Sequence, residues 1–327
     1  MQVINDYKTY QFETRTSLTI GNFDGIHLGH RRILQDLVNT AKQSNTRSLV
    51  ITFSPHPLEI LLPEKAPALI TPPSEKTALI EQSNVDILLV LKFDAELSCL
   101  SGESFVRHVL SAKLQVKHMF VGRNFVFGHR RSGDVALLQR LSRELDYVVH
   151  VIPEVMVRGS RVSSTWIREL IQSGRIGLAN RLLGRYYNIS GRIVAGQGIG
   201  RKFLFPTLNL HPENEIIPKP GVYVTLSTIG EKQYPSVTNV GMRPTVSGKD
   251  LRVESHLLQT EFWETPGSME LAFLHRLRDE HKFDSIEALR AQIERDCQKA
   301  VRFFGLMNKL RQDQRPLFEP FDLEIKS

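Results

Sequence analysis

The 327-residue chain reads as an α/β protein: a doubly wound parallel sheet in the first half, then an antiparallel β-barrel with a long C-terminal helix. Three observations predict this. From Ser17 to about Gly184, continuously apolar runs alternate with amphipathic stretches, the pattern of strands buried on both faces and joined by helical crossovers. Beyond Gly184 the segments alternate polar with apolar and are punctuated by Gly and Pro, as in antiparallel barrels. Near the end, Ile286, Leu289, Ile293, Cys297, Ala300, Val301 and Phe304 recur at helical spacing.

In order, the strands expected in the first half are 18–23, 48–53, 87–93, 118–122 and 147–152, with helices over 30–43, 74–82, 103–114 and 135–145. Ser163, Ser164 and Thr165 then precede a helical run, 166–172. Barrel strands are expected over 187–195, 221–228, 234–240, 252–258 and 270–277. Asp284-Ser285-Ile286-Glu287 resembles a capping box opening the last helix. The composition shift places domains at 1–183 and 184–310, followed by a polar tail, 311–327.

Net charge is +7, scattered except at Arg130-Arg131, so a groove for nucleic acid is not compelled. No run approaches the ~20 apolar residues that span a bilayer, and Met1–Asp6 lacks a signal-peptide pattern. Cys99 and Cys297, far apart, read as reduced core thiols of a cytoplasmic protein. The charge by itself suits nucleic acid or anionic small molecules; the partners expected are small-molecule substrates, with no nucleic acid and no membrane, and with a homo-oligomer left open.

The chemistry concentrates where strands hand over to helices. The first strand runs into Gly21-Asn22-Phe23-Asp24-Gly25-Ile26-His27-Leu28-Gly29-His30. At a helix start, outward N–H groups and the helix dipole favour a phosphate, and that end of a parallel sheet is where phosphates bind. His27 and His30 can donate to it and change charge near neutral pH. Zinc would need more ligands than are evident nearby, and a pair of surface histidines is the plain alternative.

Ser54-Pro55-His56-Pro57 forms a stiff turn suited to a pocket wall. The loop from Val121 through Asn124, Phe125 and Phe127 to Asp134 offers glycines and cations for phosphate, and phenylalanines for a flat ring. Ser163, Ser164 and Thr165 suit either caps or phosphate ligands, with Arg168 one turn on.

In the second half, Gly196-Gln197-Gly198-Ile199-Gly200 is a weak glycine loop. Thr207 and Asn209, two apart on an expected strand, point the same way and offer hard oxygens suited to Mg²⁺. Asn239-Val240-Gly241-Met242-Arg243-Pro244-Thr245 and Val253-Glu254-Ser255-His256 complete the set.

Together these strings resemble the bacterial bifunctional riboflavin kinase/FAD synthetases over nearly the whole chain. The first half is similar to their FMN adenylyltransferase module, on G-x-F-D-G-x-H-x-G-H, G-x-(D/N)-F-x-F-G and S-S-T-x-I-R. The second is similar to their kinase, on P-T-x-N, N-x-G-x-R-P-T and E-x-H, departing at Leu204 and Leu208. The resemblance implies phosphorylation of riboflavin by ATP to FMN, then adenylylation of FMN to FAD and pyrophosphate. It implies Glu254 as kinase base, with Thr207 and Asn209 on Mg²⁺. Catalytic roles for His27, His30 and Arg168 follow from it in the transferase. Substrate contacts are implied for Gly21, Phe23, Asp24, Gly25, Gly29, Ser54, Asn124, Ser163, Ser164, Thr165, Gly196, Gly198, Gly200, Asn239 and Arg243. The alternatives are a nucleotidyltransferase for another substrate, with the barrel as a binding module, and an RNA-binding protein using the basic surface and barrel, which would lack a recognisable RNA motif.

Overall fold

The computed structural model describes residues 1–194, 205–245, 248–258 and 267–312. The expected glycine loop (Gly196, Gly198, Gly200), Leu204 and the end of the tail lie outside them. Contacts divide the chain into two compact units, Met1–Ser163 and Ser164 onward.

The first unit contains strands β1 (Gln2–Ile4), β2 (Thr16–Ile20), β3 (Arg47–Ser54), β4 (Ile87–Lys92), β5 (Val116–Gly122), β6 (Val126–Phe127), β7 (Gly133–Asp134), β8 (Val148–Ile152), β9 (Met156–Val157) and β10 (Ser160–Arg161). Its helices are α1 (Leu28–Gln43), α2 (Pro57–Leu61), α3 (Pro73–Glu81), α4 (Ala95–Ser98), α5 (Gly102–Ser104) and α6 (Val135–Glu144). After α5 the chain continues as a π-helix, Phe105–Ser111, a wider coil within the single α-helix expected there.

Six strands form one sheet in the order β1-β4-β3-β2-β5-β8, and every pairing is parallel. Leu49 and Ile51 of β3 join the core on one face and Val50 the core on the other. That two-sided burial is why the strands read as unbroken apolar runs. From β2 the chain winds through β3 to β4, then returns to place β5 on the other side of β2. The reversal lies between β2 and β5, and ligands bind outside the carboxyl ends of strands at such a point.

The second unit opens with α7 (Ser164–Gln172) and α8 (Ile176–Leu183). A closed barrel follows: β11 (Tyr187–Val194), β12 (Leu208–Pro212), β13 (Gly221–Ile229), β14 (Lys232–Thr245), β15 (Gly248–Leu257) and β16 (Ser268–Arg278), ordered β11-β12-β15-β14-β13-β16 and antiparallel throughout. Its interior carries a chain of fully buried hydroxyls. Thr225 meets Ser236 and Thr238 at 2.8 and 2.6 Å, Ser227 donates to Ser236 at 2.8 Å, and Thr238 donates to Ser255 at 3.0 Å. Ser236 also donates to Thr225 O at 3.0 Å, so every hydroxyl of the chain has a hydrogen-bond partner among its buried neighbours.

α9 (Ile286–Gln312) is capped by Ser285, whose Oγ accepts from Ala288 N at 3.1 Å. Its packed face differs from the expected stripe. Ile286 and Val301 are exposed at 51% and 46%, while Ala300, Cys297, Phe303 and Phe304 pack with Val222, Val224 and Val237. Phe303 also stacks on His275, and the buried Asp296 accepts from Arg278 at 2.8 Å, so the packed face includes an ion pair that apolar periodicity cannot register. Cys99 is exposed, which corrects its reading as a core thiol; the Cys297 thiol is pushed up to about 11, chiefly by burial.

The second unit begins at Ser164, ahead of the boundary drawn at Gly184. The buried Asn180 of α8 explains the attachment: its Nδ2 donates to Phe273 O and its Oδ1 accepts from Tyr187 N, both at 2.8 Å. Losing both bonds also leaves buried backbone groups unpaired, at about 1–3 kcal/mol each. A fragment starting at Ser164 is therefore expected to melt several degrees above one starting at Gly184. Equal midpoints by calorimetry would show that α7 and α8 contribute nothing to the barrel.

Candidate active sites

The turn after β2 is built by three positive-φ residues: Phe23 (φ 49), Gly25 (φ 85) and Ile26 (φ 39). For the two non-glycine residues this conformation costs about 1–3 kcal/mol each. Phe23 and Ile26 are 3% and 1% exposed, and full burial of such side chains contributes about 1.5–3 kcal/mol each. The turn is thus held open by the anchoring of its own apolar side chains. Asp24, read from the sequence as a substrate contact, has its buried carboxylate on the backbone of a neighbouring loop. It accepts from Ile70 N at 3.0 Å and Thr71 N at 3.1 Å, while Thr71 Oγ1 accepts from Gly25 N at 2.7 Å.

α1 starts at Leu28, so His27 is its N-cap and His30 lies in its first turn. His27 Nδ1 accepts from His30 N at 3.3 Å, which leaves the proton of a neutral ring on Nε2. The two rings stack at 3.7 Å with 12° between planes, and Phe23 lies 5.1 Å from His30. A Cβ on Gly29 would come within 3.1 Å of the His27 ring, so a larger residue there would crowd the stacked pair. The first turn holds no acidic residue, which keeps the helix start attractive to anions.

Burial, then the neighbouring His27 and Lys76, hold His30 well below its ordinary 6.5. This corrects the expectation that both histidines change charge near neutrality: His30 is a neutral imidazole there. Among the described residues its buried Nδ1 has no hydrogen-bond partner.

The turn is tied to its neighbours through Asn22. Its side-chain amide lies 2.8 Å from His56 Nε2, and its carbonyl accepts from Thr52 Oγ1 at 3.2 Å and Lys76 Nζ at 3.1 Å. His56 Nδ1 accepts from Leu58 N and caps α2. The 54–57 turn is thereby fixed beside the first motif, with Ser54 exposed at the end of β3.

Beyond β5, Asn124 Nδ2 donates to Glu154 Oε1 at 2.8 Å, and Arg161 Nη1 donates to the same oxygen at 3.0 Å. Phe125 and Phe127 stack on each other at 5.3 Å and pack, half-buried, against the core. Ser163 ends the first unit, while Ser164, Thr165 and Arg168 belong to α7 of the second. Lys76, Thr71 and Glu154 were not singled out by the sequence reading; a lysine on a helical stretch looks solvent-facing until the packing is known.

In the barrel, register assembles the other site. Asn209 of β12 pairs with Glu254 of β15, and Glu254 pairs with Asn239 of β14. Directly opposed residues share a face, so three motifs far apart in sequence form one polar rung. The Glu254 side chain is 34% exposed, with Arg252 Nη1 3.8 Å from its Oε1. His256, two residues on and on the same face, donates from Nδ1 to Pro206 O at 2.9 Å and meets the Phe205 ring edge-on. It thus ties the segment carrying Thr207 to β15. Thr207 stands just before β12 instead of within it. Arg243 lies in β14, and its side chain is outside the described atoms.

Two family models match the chain, FAD synthetase over residues 9–166 and riboflavin kinase over 183–304. The bifunctional riboflavin kinase/FMN adenylyltransferase of Escherichia coli (strain K12) is 38% identical over 290 residues, covering 88% of this chain and 93% of that protein. This chain belongs to the bifunctional riboflavin kinase/FMN adenylyltransferase family. The Haemophilus influenzae member is 35% identical, covering 88% of this chain and 94% of its own length. A solved structure named as a macrolide-efflux protein from Streptococcus pneumoniae superposes with a TM-score of 0.82 at 26% identity, over 90% of this chain and 96% of that one. Among the described residues no helix is long and apolar enough to cross a membrane. Likewise, none of their His, Cys, Asp and Glu side chains cluster in threes that could hold a metal. In this family's terms, the β2–β5 crevice matches the adenylyltransferase half and the Asn209–Glu254–Asn239 rung the kinase half.

Proposed function

We propose that this chain makes FAD in two steps: the barrel phosphorylates riboflavin with ATP, and the parallel-sheet unit adenylylates the FMN with a second ATP. The observation that carries the reading is the rung that places Asn209, Glu254 and Asn239 side by side. In the kinase step, Glu254 takes the proton of the terminal ribityl hydroxyl as that oxygen bonds to the γ-phosphorus. The bond from the γ-phosphorus to the β-bridging oxygen breaks, and ADP leaves.

Thr207 and Asn209 offer oxygens of the hard type that Mg²⁺ prefers, and a two-ligand protein set leaves positions for phosphate and water. There the ion would screen phosphate charge. Asn239 and Arg243, with the glycine loop, would bind the substrates.

In the transferase step, an FMN phosphate oxygen bonds to the α-phosphorus of ATP while the bond to the bridging oxygen breaks and pyrophosphate leaves. His27 and His30 at the start of α1 stabilise the charge that builds on the α-phosphate. Gly21 to Gly29, with Ser54 and Asn124, shape the crevice around them. Phosphate contacts at the start of α7 are assigned to Ser163, Ser164, Thr165 and Arg168 by the family resemblance. The functional division falls at 1–183 and 184–310, in a cytoplasmic enzyme that needs no nucleic acid or membrane.

The test is to incubate the protein with riboflavin, ATP and Mg²⁺ and to separate the flavins over time. FMN is expected to rise first and FAD to follow. Saturating ATP with no new flavin would defeat the reading, and FAD formation from supplied FMN without any kinase turnover would favour the barrel as a binding module.

A further inference from the structure

Lys76 of α3 is only 8% exposed. Its ammonium carries three donors, and among the described residues its one hydrogen-bond acceptor is the carbonyl of Asn22, at 3.1 Å. It forms no ion pair among the described residues. The carboxylates that influence it, Asp24 and Glu59, are engaged elsewhere: Asp24 on the backbone of Ile70 and Thr71, Glu59 on His56 N at 3.0 Å.

A buried charge without a close counterion is costly. This one sits under the turn that presents His27 and His30, close enough to depress the protonation of His30. Among the described residues, the same place combines an acid-free helix start, an imidazole nitrogen with no partner and two uncommitted ammonium donors. All three features suit one kind of guest, a multiply charged phosphate.

We propose that Lys76 is a phosphate-binding cation of the adenylyltransferase site, donating its remaining N–H groups to the triphosphate of ATP. The proposal rests on the placement of that site at the β2–α1 turn. Binding the anion supplies the counter-charge that the folded protein withholds, so the cost of burying the ammonium is offset when the nucleotide is bound. A lysine that only propped up the Asn22 carbonyl would need no charge.

The test reads FAD formation from FMN and its inhibition by adenosine and by inorganic pyrophosphate, in the full chain and in Lys76→Met and Lys76→Arg. A charge-assisted hydrogen bond of ~1.5–3 kcal/mol corresponds to about 10- to 100-fold. Lys76→Met is expected to weaken pyrophosphate inhibition by that factor while adenosine inhibition stays within about threefold, and Lys76→Arg should recover most of the loss. Parallel weakening of both inhibitors, or no change in either, would overturn the role and leave Lys76 as a prop for the turn. If Lys76→Met does not fold, the wild-type Lys76 ammonium resonance, identified by its absence in Lys76→Arg, decides. A shift on adding pyrophosphate supports the contact, and an unmoved resonance at saturation overturns it. Wild-type protein that makes no FAD would instead defeat the adenylyltransferase reading itself, and the Lys76 role with it.

Discussion

Glu254→Gln is expected to lower the turnover of riboflavin to FMN by about 10²–10⁴-fold, the usual range for a positioned general base. Glutamine keeps the size of the side chain and an oxygen that can accept from the ribityl hydroxyl, so the KM for riboflavin should change far less than kcat. FAD formation from supplied FMN should be unaltered. The competing account is local: Arg252 Nη1 lies 3.8 Å from the carboxylate of a side chain that is 34% exposed, and such pairs contribute about 0–1 kcal/mol to stability. On that account the variant would lose a little stability and almost no rate. Initial rates of FMN formation separate the two by orders of magnitude. A folded variant with near-normal turnover would remove Glu254 from the mechanism and leave the rung without its base.

The sequence carried the elements whose signal is local. Two-sided burial makes a strand read as an unbroken apolar run, so β2, β3, β4 and β5 were legible; β8, at the sheet edge, was legible from its β-branched residues alone. It could not carry register. Nothing in the spacing of Asn209, Asn239 and Glu254 says that barrel closure sets them on one rung. Nor could it show which polar positions of an alternating strand turn inward: Thr225, Ser236 and Thr238 look like surface residues and form the interior. The motif Gly21–His30 was visible as a string, but the division of labour within it was not. Asp24 and Phe23 hold the turn's shape, and Gly29 makes room for the His27 ring. His30 is kept neutral by burial, a property of packing that no spacing encodes. Lys76 was missed for the same reason, since its distance from the motif in sequence conceals its bond to Asn22.

His30→Ala is expected to lower FAD formation from FMN by about 10²–10³-fold, the scale of removing one preorganised donor from a developing charge, while FMN formation in the barrel continues. The neutral state of His30 sharpens the expectation. Its folded value lies well below 6.5, so the folded protein takes up the proton less readily than the unfolded chain. The stability linked to this group is present above about pH 6.5 and is lost as pH falls toward the lowered value. Between pH 7 and 8 the ring does not change charge, so the rate should show no limb that disappears with His30→Ala. A neutral donor should then serve in its place: His30→Gln, which keeps an N–H, should retain more activity than His30→Ala. An imidazolium acting by charge would leave the two variants equally poor and would give the wild type an activity that climbs as pH falls toward 6. Measuring FAD formation for the three proteins across pH 6 to 8 distinguishes these cases. Equal loss in both variants, with a wild-type rate rising at low pH, would show that the bound nucleotide returns the proton that burial excludes from the free protein.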